Sequence, residues 1–380
     1  MSFSVGIIGL PNVGKSTLFK ALTQQEVDIS NYPFCTIDPN VGVVQVPDER
    51  LNKIAEIVKP QKTTPTIIEF VDIAGLVKGA HKGEGLGNQF LAHIREVDAI
   101  AHVVRSFEAS DIKHIENTLD VQRDIDIVNT ELIMKDLETM NKYLEKIEKP
   151  AATRQDVPTS GGKPASNASR SDAGWQAGPP KSESFGGDAK KELEILKKIK
   201  KCLNDGKMIS QIDLDEKWKE SIKHLGFLTI KPVIYLINSR GTDKELEMLK
   251  SLPENTIPLD LKMELELSEL SSEELEELKL KPRIDVLIKT CYKILDLITF
   301  YTIKGGEECR AWTAKQGTVA PRAGGIVHTD FENKFIRAEV INYKDLLECG
   351  SWNQARAKGL IGTKGKNYVV KDGDIIEFKI

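Results

Sequence analysis

The residues with the clearest chemical potential stand near the start of the chain, where Gly9 to Thr17 read Gly-Leu-Pro-Asn-Val-Gly-Lys-Ser-Thr. Two glycines followed by a lysine and a hydroxyl side chain at this spacing are the pattern of a loop that wraps a polyphosphate. The glycines let backbone N–H groups close around the phosphates, Lys15 would reach the β- and γ-phosphates, and the Ser16 hydroxyl would bind Mg²⁺. The pattern therefore predicts a site for a nucleoside triphosphate.

The elements on either side of the loop are those that must position it. Residues 3–8 have the pattern of a short buried strand, and residues 16–22 that of the first turns of a helix, whose N-terminal partial charge favours phosphate. Four further apolar runs have the length of interior strands: 41–46, 66–71, 99–104 and 232–237. Because helical patterns separate them, they predict an α/β fold with a mostly parallel sheet.

A second group of candidate residues lies downstream, at the end of one of these strands. Asp72 ends the strand and Gly75 follows, a spacing in which the carboxylate binds Mg²⁺ through water and the glycine N–H contacts the γ-phosphate. Between the two patterns, Thr36 is placed to complete the Mg²⁺ shell. The glycine-rich stretch 79–87 predicts a segment whose order depends on the γ-phosphate.

Together these residues closely resemble one family, the YchF or Obg-like ATPases. The resemblance is carried by motifs at 9–17, 31–34, 72–77 and 79–87, and by stretches similar to a TGS domain at 310–313, 328–332 and 368–374. It covers nearly the whole chain and fails only across 150–188. It implies a translation-associated P-loop NTPase of the GTPase superfamily, which binds ribosomes and hydrolyses ATP at least as readily as GTP.

The same resemblance implies which residues hold the ligands. Mg²⁺ is expected at Ser16 and Thr36, with Asp72 acting through water. The residues expected to hold the phosphates are Asn12, Val13, Gly14, Lys15, Ser16 and Thr17. The expected cofactor is therefore Mg²⁺, and the expected ligand is ATP or GTP.

Hydrolysis needs a group that orients the attacking water. Leu76 stands where Ras-like enzymes carry a glutamine, and a leucine cannot orient water. The family carries a histidine on the loop after the strand that here ends at 103–107, and His114 occupies that place. Either His114 acts on the water, beside Lys15 and with the ribosome or K⁺ as an activator, or it is an ordinary surface histidine. In the second case the alternative function is a nucleotide-binding regulatory protein with negligible turnover.

The residues that would contact the base follow the strand at 232–237. GTPases carry Asn-Lys-x-Asp there and the related family Asn-x-x-Glu, but this chain has Asn238-Ser239-Arg240-Gly241. Asn238 can bond purine N7 and the Ser239 backbone could meet the adenine edge, whereas no carboxylate stands at Gly241 to accept the guanine hydrogens. Losing such a charged partner costs about 1.5–3 kcal/mol. We therefore expect a preference for ATP or weak base selectivity.

The 380 residues, of which 40% are hydrophobic, allow two or three domains. We predict a P-loop NTPase (OBG-type) domain formed by 1–118 and 226–297, and an inserted α-helical coiled-coil arm at 119–225. A small mixed β domain of TGS, ubiquitin-like type is predicted at 298–380. Within the arm, residues from about 150 to 188 are rich in Ser, Gly, Ala, Pro and Asn, which predicts a flexible linker.

The composition of the chain limits the classes of molecule that it is expected to bind. The net charge of -4 gives no global basic signal, and no apolar run approaches the roughly 20 residues of a membrane span. We expect no secretory leader, since the first residues enter a strand pattern directly, and five scattered cysteines suit a reducing compartment. We expect a cytoplasmic monomer that binds the ribosome or its large subunit and rRNA, and that binds neither membrane nor DNA.

Two local groups of residues are candidates for rRNA contact, and each has a plainer alternative. The first is the lysine cluster of the arm: Lys190, Lys191, Lys197, Lys198, Lys200 and Lys201. These lysines either meet RNA phosphates or form a solvated helix face. In the C-terminal module, Trp312 and Phe331 either stack on bases or belong to the core.

Overall fold

A computed structural model describes residues 3–24, 27, 32, 38–73, 86–108, 118–148 and 188–380. The strands of these residues are, in chain order, β1 (Ser4–Ile8), β2 (Val41–Gln45), β3 (Lys62–Thr64), β4 (Ile67–Asp72), β5 (Ala99–Arg105), β6 (Val233–Asn238), β7 (Thr256–Leu259), β8 (Leu297–Lys304), β9 (Glu308–Lys315), β10 (Arg337–Asn342), β11 (Gly362–Lys364) and β12 (Asp374–Lys379). The first helices are α1 (Lys15–Thr23), α2 (Glu49–Val58), α3 (Leu86–Glu96), α4 (Val121–Glu148), α5 (Asp188–Asn204), α6 (Glu216–Ile222) and α7 (Asp243–Leu249). The remaining helices are α8 (Leu261–Ser268), α9 (Ser272–Glu277), α10 (Ile284–Ile294), α11 (Ala320–Val327), α12 (Thr329–Asn333), α13 (Tyr343–Cys349) and α14 (Trp352–Ala357).

The first sheet carries the phosphate loop and has the strand order β2-β4-β1-β5-β6-β7. All neighbouring strands are parallel except β2 and β4, which are antiparallel. Strands β5 and β6 are buried along their whole length, as expected for interior strands of a parallel sheet. The predicted α/β fold with a mostly parallel sheet is confirmed.

The second sheet has the order β11-β10-β12-β8-β9-β3 and mixes parallel and antiparallel pairs. Five of its strands come from the C-terminal region, but β3 comes from the N-terminal half and pairs in parallel with β9. The sequence did not predict β3, because Lys-Thr-Thr has no apolar pattern of its own. Residues 368–370, Tyr-Val-Val, have the composition of a strand but form only an isolated bridge between Val369 and Val319.

Helices cover both faces of this second sheet. Phe300 and Ile376 belong to the cluster that includes α11, whereas their neighbours Tyr301 and Ile375 belong to the opposite cluster with Leu51 of α2. Successive residues of a strand face opposite sides, so each strand contributes to two cores. The C-terminal module is therefore a mixed β domain, as predicted, but it also contains four short helices and borrows α2 from the N-terminal half.

A polar network fixes the start of α2 to the second sheet. Asp48 caps α2, and its Oδ2 accepts a hydrogen bond from the Tyr301 hydroxyl at 2.5 Å. Arg50 donates through Nε to Asp48 Oδ1 at 2.8 Å and through Nη1 to Asp372 Oδ2 at 2.5 Å. The connection between β2 and β4 is thereby built into the C-terminal module. Met1–Glu131 and Lys231–Ile380 accordingly form one compact unit by their contacts.

Leu132–Ile230 form a second compact unit. Residues buried along its two long helices are Leu132, Ile133, Met140, Leu144, Leu196, Ile199 and Leu203. Leu193, which the sequence assigns to the apolar stripe of the second helix, is 36% exposed. The buried Asp136 carboxylate accepts hydrogen bonds from the N–H groups of Leu228 and Thr229, both at 2.8 Å. Apart from Asp188, the predicted linker lies outside the described residues.

Among the helices of the described residues, none has the length and apolarity required to cross a membrane.

Candidate nucleotide-binding site

The loop between β1 and α1 takes conformations that require its glycines. Gly9 has a φ of +148°, and a Cβ there would lie 2.3 Å from the carbonyl oxygen of Val103. Gly14 has a φ of +110°, and a Cβ there would lie 2.7 Å from Asn238 Nδ2. Gly9 therefore lets the loop lie against β5, and Gly14 lets α1 begin beside the residue predicted to contact the base.

The start of α1 provides the donors that a phosphate needs. The helix begins at Lys15, so the N–H groups of Lys15, Ser16 and Thr17 have no intrahelical acceptor. Leu18 makes the first helical bond, from its N–H to the Gly14 carbonyl at 2.9 Å. Free N–H groups and the helix dipole together make this end of the helix suited to an anion.

Lys15 is held at the mouth of the loop. Its Nζ donates to the carbonyl oxygens of Leu10 at 2.9 Å and Gly9 at 3.2 Å. Burial lowers the pKa of Lys15, and the nearby Asp72 carboxylate opposes that shift. A phosphate oxygen is a stronger acceptor for an ammonium than a neutral carbonyl, so Lys15 is suited to exchange these bonds for bonds to a polyphosphate.

Two of the three predicted Mg²⁺ ligands, Ser16 and Asp72, are described. Asp72 ends β4 beside Ile7 of β1, and its backbone N–H donates to the Asn40 carbonyl at 2.8 Å. Burial raises the pKa of the Asp72 carboxyl, and the charge of Lys15 opposes that shift. A half-buried carboxylate and a hydroxyl are hard oxygen ligands, which fit Mg²⁺. In the part of the chain that the structure describes, no cluster of three His, Cys, Asp or Glu side chains could hold a metal, so phosphate oxygens and water would complete the shell.

Asn238 joins the predicted base-contacting loop to the phosphate loop. Its Nδ2 donates to the Val13 carbonyl at 2.9 Å, and its Oδ1 accepts from the Leu261 N–H at 3.3 Å. The buried Ser239 follows, and its backbone N–H donates to the Leu259 carbonyl at 2.9 Å. The Ser239 N–H is thus committed to the sheet, although the sequence analysis assigned the Ser239 backbone to the adenine edge.

Two side chains at this edge were missed by the sequence analysis. The guanidinium carbon of Arg240 lies 4.5 Å from the centroid of the Phe107 ring. Phe107 stands two residues after the end of β5, and Arg240 two residues after the end of the neighbouring parallel strand β6. Their equal spacing from the ends of two adjacent strands is the sequence feature that could have identified them. Both groups are flat and can stack on a purine.

Three predicted site residues, Thr36, Gly75 and His114, lie outside the described residues. Tyr32, in the same motif region as Thr36, donates its hydroxyl to the Pro65 carbonyl at 2.8 Å. In the C-terminal module, Trp312 and Phe331 pack against the core cluster that contains Phe300. Of the two interpretations of these rings, the structure supports their role in packing.

The chain was compared with known proteins by sequence and by structure. A family model described as 50S ribosome-binding GTPase matches residues 4–150, and the model YchF-GTPase_C, described as a protein of unknown function (DUF933), matches residues 297–380. The chain is 42% identical to the ribosome-binding ATPase YchF of Bacillus subtilis over 395 residues, covering 100% of this chain and 99% of the relative. The protein of the same name from Haemophilus influenzae is also 42% identical, with the same coverage. The solved YchF GTPase of Schizosaccharomyces pombe matches with a TM-score of 0.81 and 38% identity, covering 100% of this chain and 98% of that one.

Proposed function

Because the chain belongs to the YchF family, we propose that it is a ribosome-associated P-loop NTPase that binds and hydrolyses ATP, and also GTP, with Mg²⁺. It acts as a nucleotide-dependent switch in translation or in the regulation of translation under stress. The observation that carries the proposal is the meeting of Lys15, Asp72 and Asn238 around one loop. Because it acts on ribosomes, the protein is placed in the cytoplasm.

The phosphates lie on the loop residues Asn12, Val13, Gly14, Lys15, Ser16 and Thr17, with the Gly75 N–H at the γ-phosphate. Lys15 contacts the β- and γ-phosphates and offsets the charge that develops during transfer. Ser16, Thr36 and Asp72 hold Mg²⁺, directly or through water. The ion, when bound, neutralises phosphate charge and orients the terminal phosphate.

Adenine lies at the edge where β5 and β6 end, beside Asn238 and the Phe107–Arg240 pair. The Asn238 amide already bonds the phosphate loop, so a base bonded to its second N–H would be fixed relative to the phosphates. Gly241 brings no carboxylate to this edge, which supports ATP over GTP because the guanine N1 and N2 hydrogens would lack a charged acceptor.

The contact with rRNA involves the second helix of the inserted unit. Lys197, Lys198 and Lys201 are exposed on α5. None of the three forms an ion pair with another residue in the described ranges, so their charge is available to phosphates. Contacts of this kind weaken as salt rises, because binding releases counterions from the nucleic acid.

His114 provides the test that separates the enzyme from a nucleotide-dependent binder. Replacing His114 by alanine should lower kcat for ATP hydrolysis by about a hundredfold, because a general acid–base or water-orienting group contributes on that order. The affinity for ATP should stay the same, since the histidine acts on water. Phosphate release is measured with and without large ribosomal subunits, in K⁺ and in Na⁺.

The matched control is His93→Ala, which removes an exposed histidine on α3. An unchanged rate in the His114 variant would make His114 a surface residue. A wild-type protein that binds ribosomes in a nucleotide-dependent way but releases no phosphate would replace the proposed enzyme by the regulatory binder.

A further inference from the structure

Glu245 is an unusual residue for the first turn of a surface helix. It forms a capping box with Thr242 at the start of α7, accepting at Oε2 from the Thr242 N–H and hydroxyl, both at 2.9 Å. A second capping box of the same form, Ser271 with Glu274 at α9, is exposed. Glu245 instead is only 7% exposed. A buried carboxylate must be paired or hydrogen-bonded.

The additional partners of Glu245 come from the base edge, the part of the sheet where β5 and β6 end beside Asn238. The Ser239 hydroxyl lies 3.2 Å from Oε2, and the Ser106 hydroxyl lies 3.1 Å from Oε1. Ser106 also donates its backbone N–H to the Asn238 carbonyl at 3.0 Å. One carboxylate thus ties together the ends of β5 and β6, immediately beside Phe107 and Arg240.

The carboxylate is held in its charged form and its acceptor sites are in use. Burial works to raise the pKa of Glu245, but hydrogen bonds from Thr242, Ser106 and the backbone of Arg240 outweigh it and bring the pKa below its usual value. A carboxylate has about four lone-pair sites. Three donors from Thr242 and Ser239 reach Oε2 and the Ser106 hydroxyl reaches Oε1, so this buried carboxylate is engaged within the protein and is a poor acceptor for the guanine hydrogens.

We propose that Glu245 is the positioning carboxylate of the base site, which fixes the loop 238–242 against the end of β5 and is not itself available to a base. Gly241 leaves the usual base-contacting position without a carboxylate, and the Glu245 carboxylate, in the first turn of α7, instead holds the loop from behind. The ligand class is then a purine recognised by stacking and by Asn238, with no acid for guanine. This inference rests on the proposed function, since it assigns a role within the ATP site.

If Glu245 positions the base site, its loss should change the affinity for ligands that carry a base and not the affinity for ligands that lack one. ATP uses both the phosphate loop and the base edge, whereas inorganic tripolyphosphate uses only the phosphate loop. Loss of Glu245 should therefore weaken the binding of ATP and leave the binding of tripolyphosphate unchanged. Loss of a residue that only stabilises the fold would weaken the binding of both ligands.

The experiment is calorimetric titration of the full chain with Mg-ATP and, separately, with Mg-tripolyphosphate. In Glu245→Gln the Kd for ATP should rise about tenfold, the effect of losing one hydrogen bond to a charged group. The Kd for tripolyphosphate should stay within about twofold of wild type, which is below 0.5 kcal/mol. Glu274→Gln, which removes the same charge from the matching capping box at α9, should change neither value.

Equal weakening of both ligands, or unchanged ATP binding, in Glu245→Gln would overturn the inference. If that variant does not fold, Ser239→Ala removes one of the loop bonds while keeping the capping box, and the same split between ligands must appear. A wild-type chain that binds tripolyphosphate but not ATP would instead refute the proposed function, so the two failures are distinguishable.

Discussion

Replacing Lys15 by alanine should lower ATP hydrolysis by at least a hundredfold, because removing one preorganised donor to a developing charge costs about 10²–10³ in rate. Lys15 places its amino group at the mouth of the loop, where it donates to the Gly9 and Leu10 carbonyls. No other lysine among the described residues occupies this loop. ATP affinity should fall as well, since the phosphates lose a charge-assisted partner.

The measurement is phosphate release under saturating ATP, together with the Kd for ATP. Lys20→Ala is the control, because Lys20 is an exposed lysine on the same helix. The Lys20 variant should behave as wild type. A Lys15→Ala protein that keeps more than about a tenth of the wild-type rate would contradict the assignment of Lys15 to catalysis.

A second large effect concerns pH and a histidine beneath the phosphate loop. His102 lies in β5, beside Ile8 on one side and Tyr235 on the other. It is 1% exposed, and neither ring nitrogen has a hydrogen-bond partner among the described residues. Burial, and then the charge of Lys15, lower the pKa of His102 to about 3.

The direction of the resulting pH effect follows from where the proton binds. The unfolded chain binds a proton at His102 below a pH of about 6.5, whereas the folded chain does so only near the lowered pKa. Folding stability from this residue is therefore present above pH 6.5 and is lost as the pH falls towards 3. The free energy of unfolding should drop by about 1.4 kcal/mol per pH unit, or about 2 kcal/mol between pH 6.5 and 5.

Urea unfolding at several pH values between 5 and 7.5 measures this slope. His102→Leu removes the titrating ring and should flatten the slope by that amount, whereas His93→Leu, at an exposed position, should leave it unchanged. An identical slope in wild type and His102→Leu would show that the folded protein accommodates a charged His102.

The parts of the fold that could be predicted are those with a local pattern. The phosphate loop, the apolar strands β4, β5 and β6, and the long helices α4 and α5 each carry their own periodicity or motif. Asp72 and Asn238 could be assigned to the site because each stands at the end of an apolar strand in a recognisable motif. These predictions need no knowledge of distant contacts.

The rest depends on pairings between distant residues. Strand β3 has no pattern that marks it, and it exists because β9 provides its hydrogen-bond partners. Likewise, Tyr301 bonds Asp48 across 253 positions of the chain. The run at 368–370 has the composition of a strand but forms only one bridge. Glu245 was missed for a different reason: its spacing from Thr242 marks an ordinary helix cap, and nothing in the sequence shows that this cap is buried against Ser106 and Ser239.

The preference of this protein for ATP over GTP is tested most directly by a comparison of the two nucleotides. ATP and GTP are titrated separately into the wild-type protein with Mg²⁺ by calorimetry. We expect ATP to bind more tightly, because Gly241 presents no carboxylate and the buried Glu245 carboxylate is bonded to its own loop. Tighter binding of GTP would contradict this account and would mean that another group contacts the guanine hydrogens.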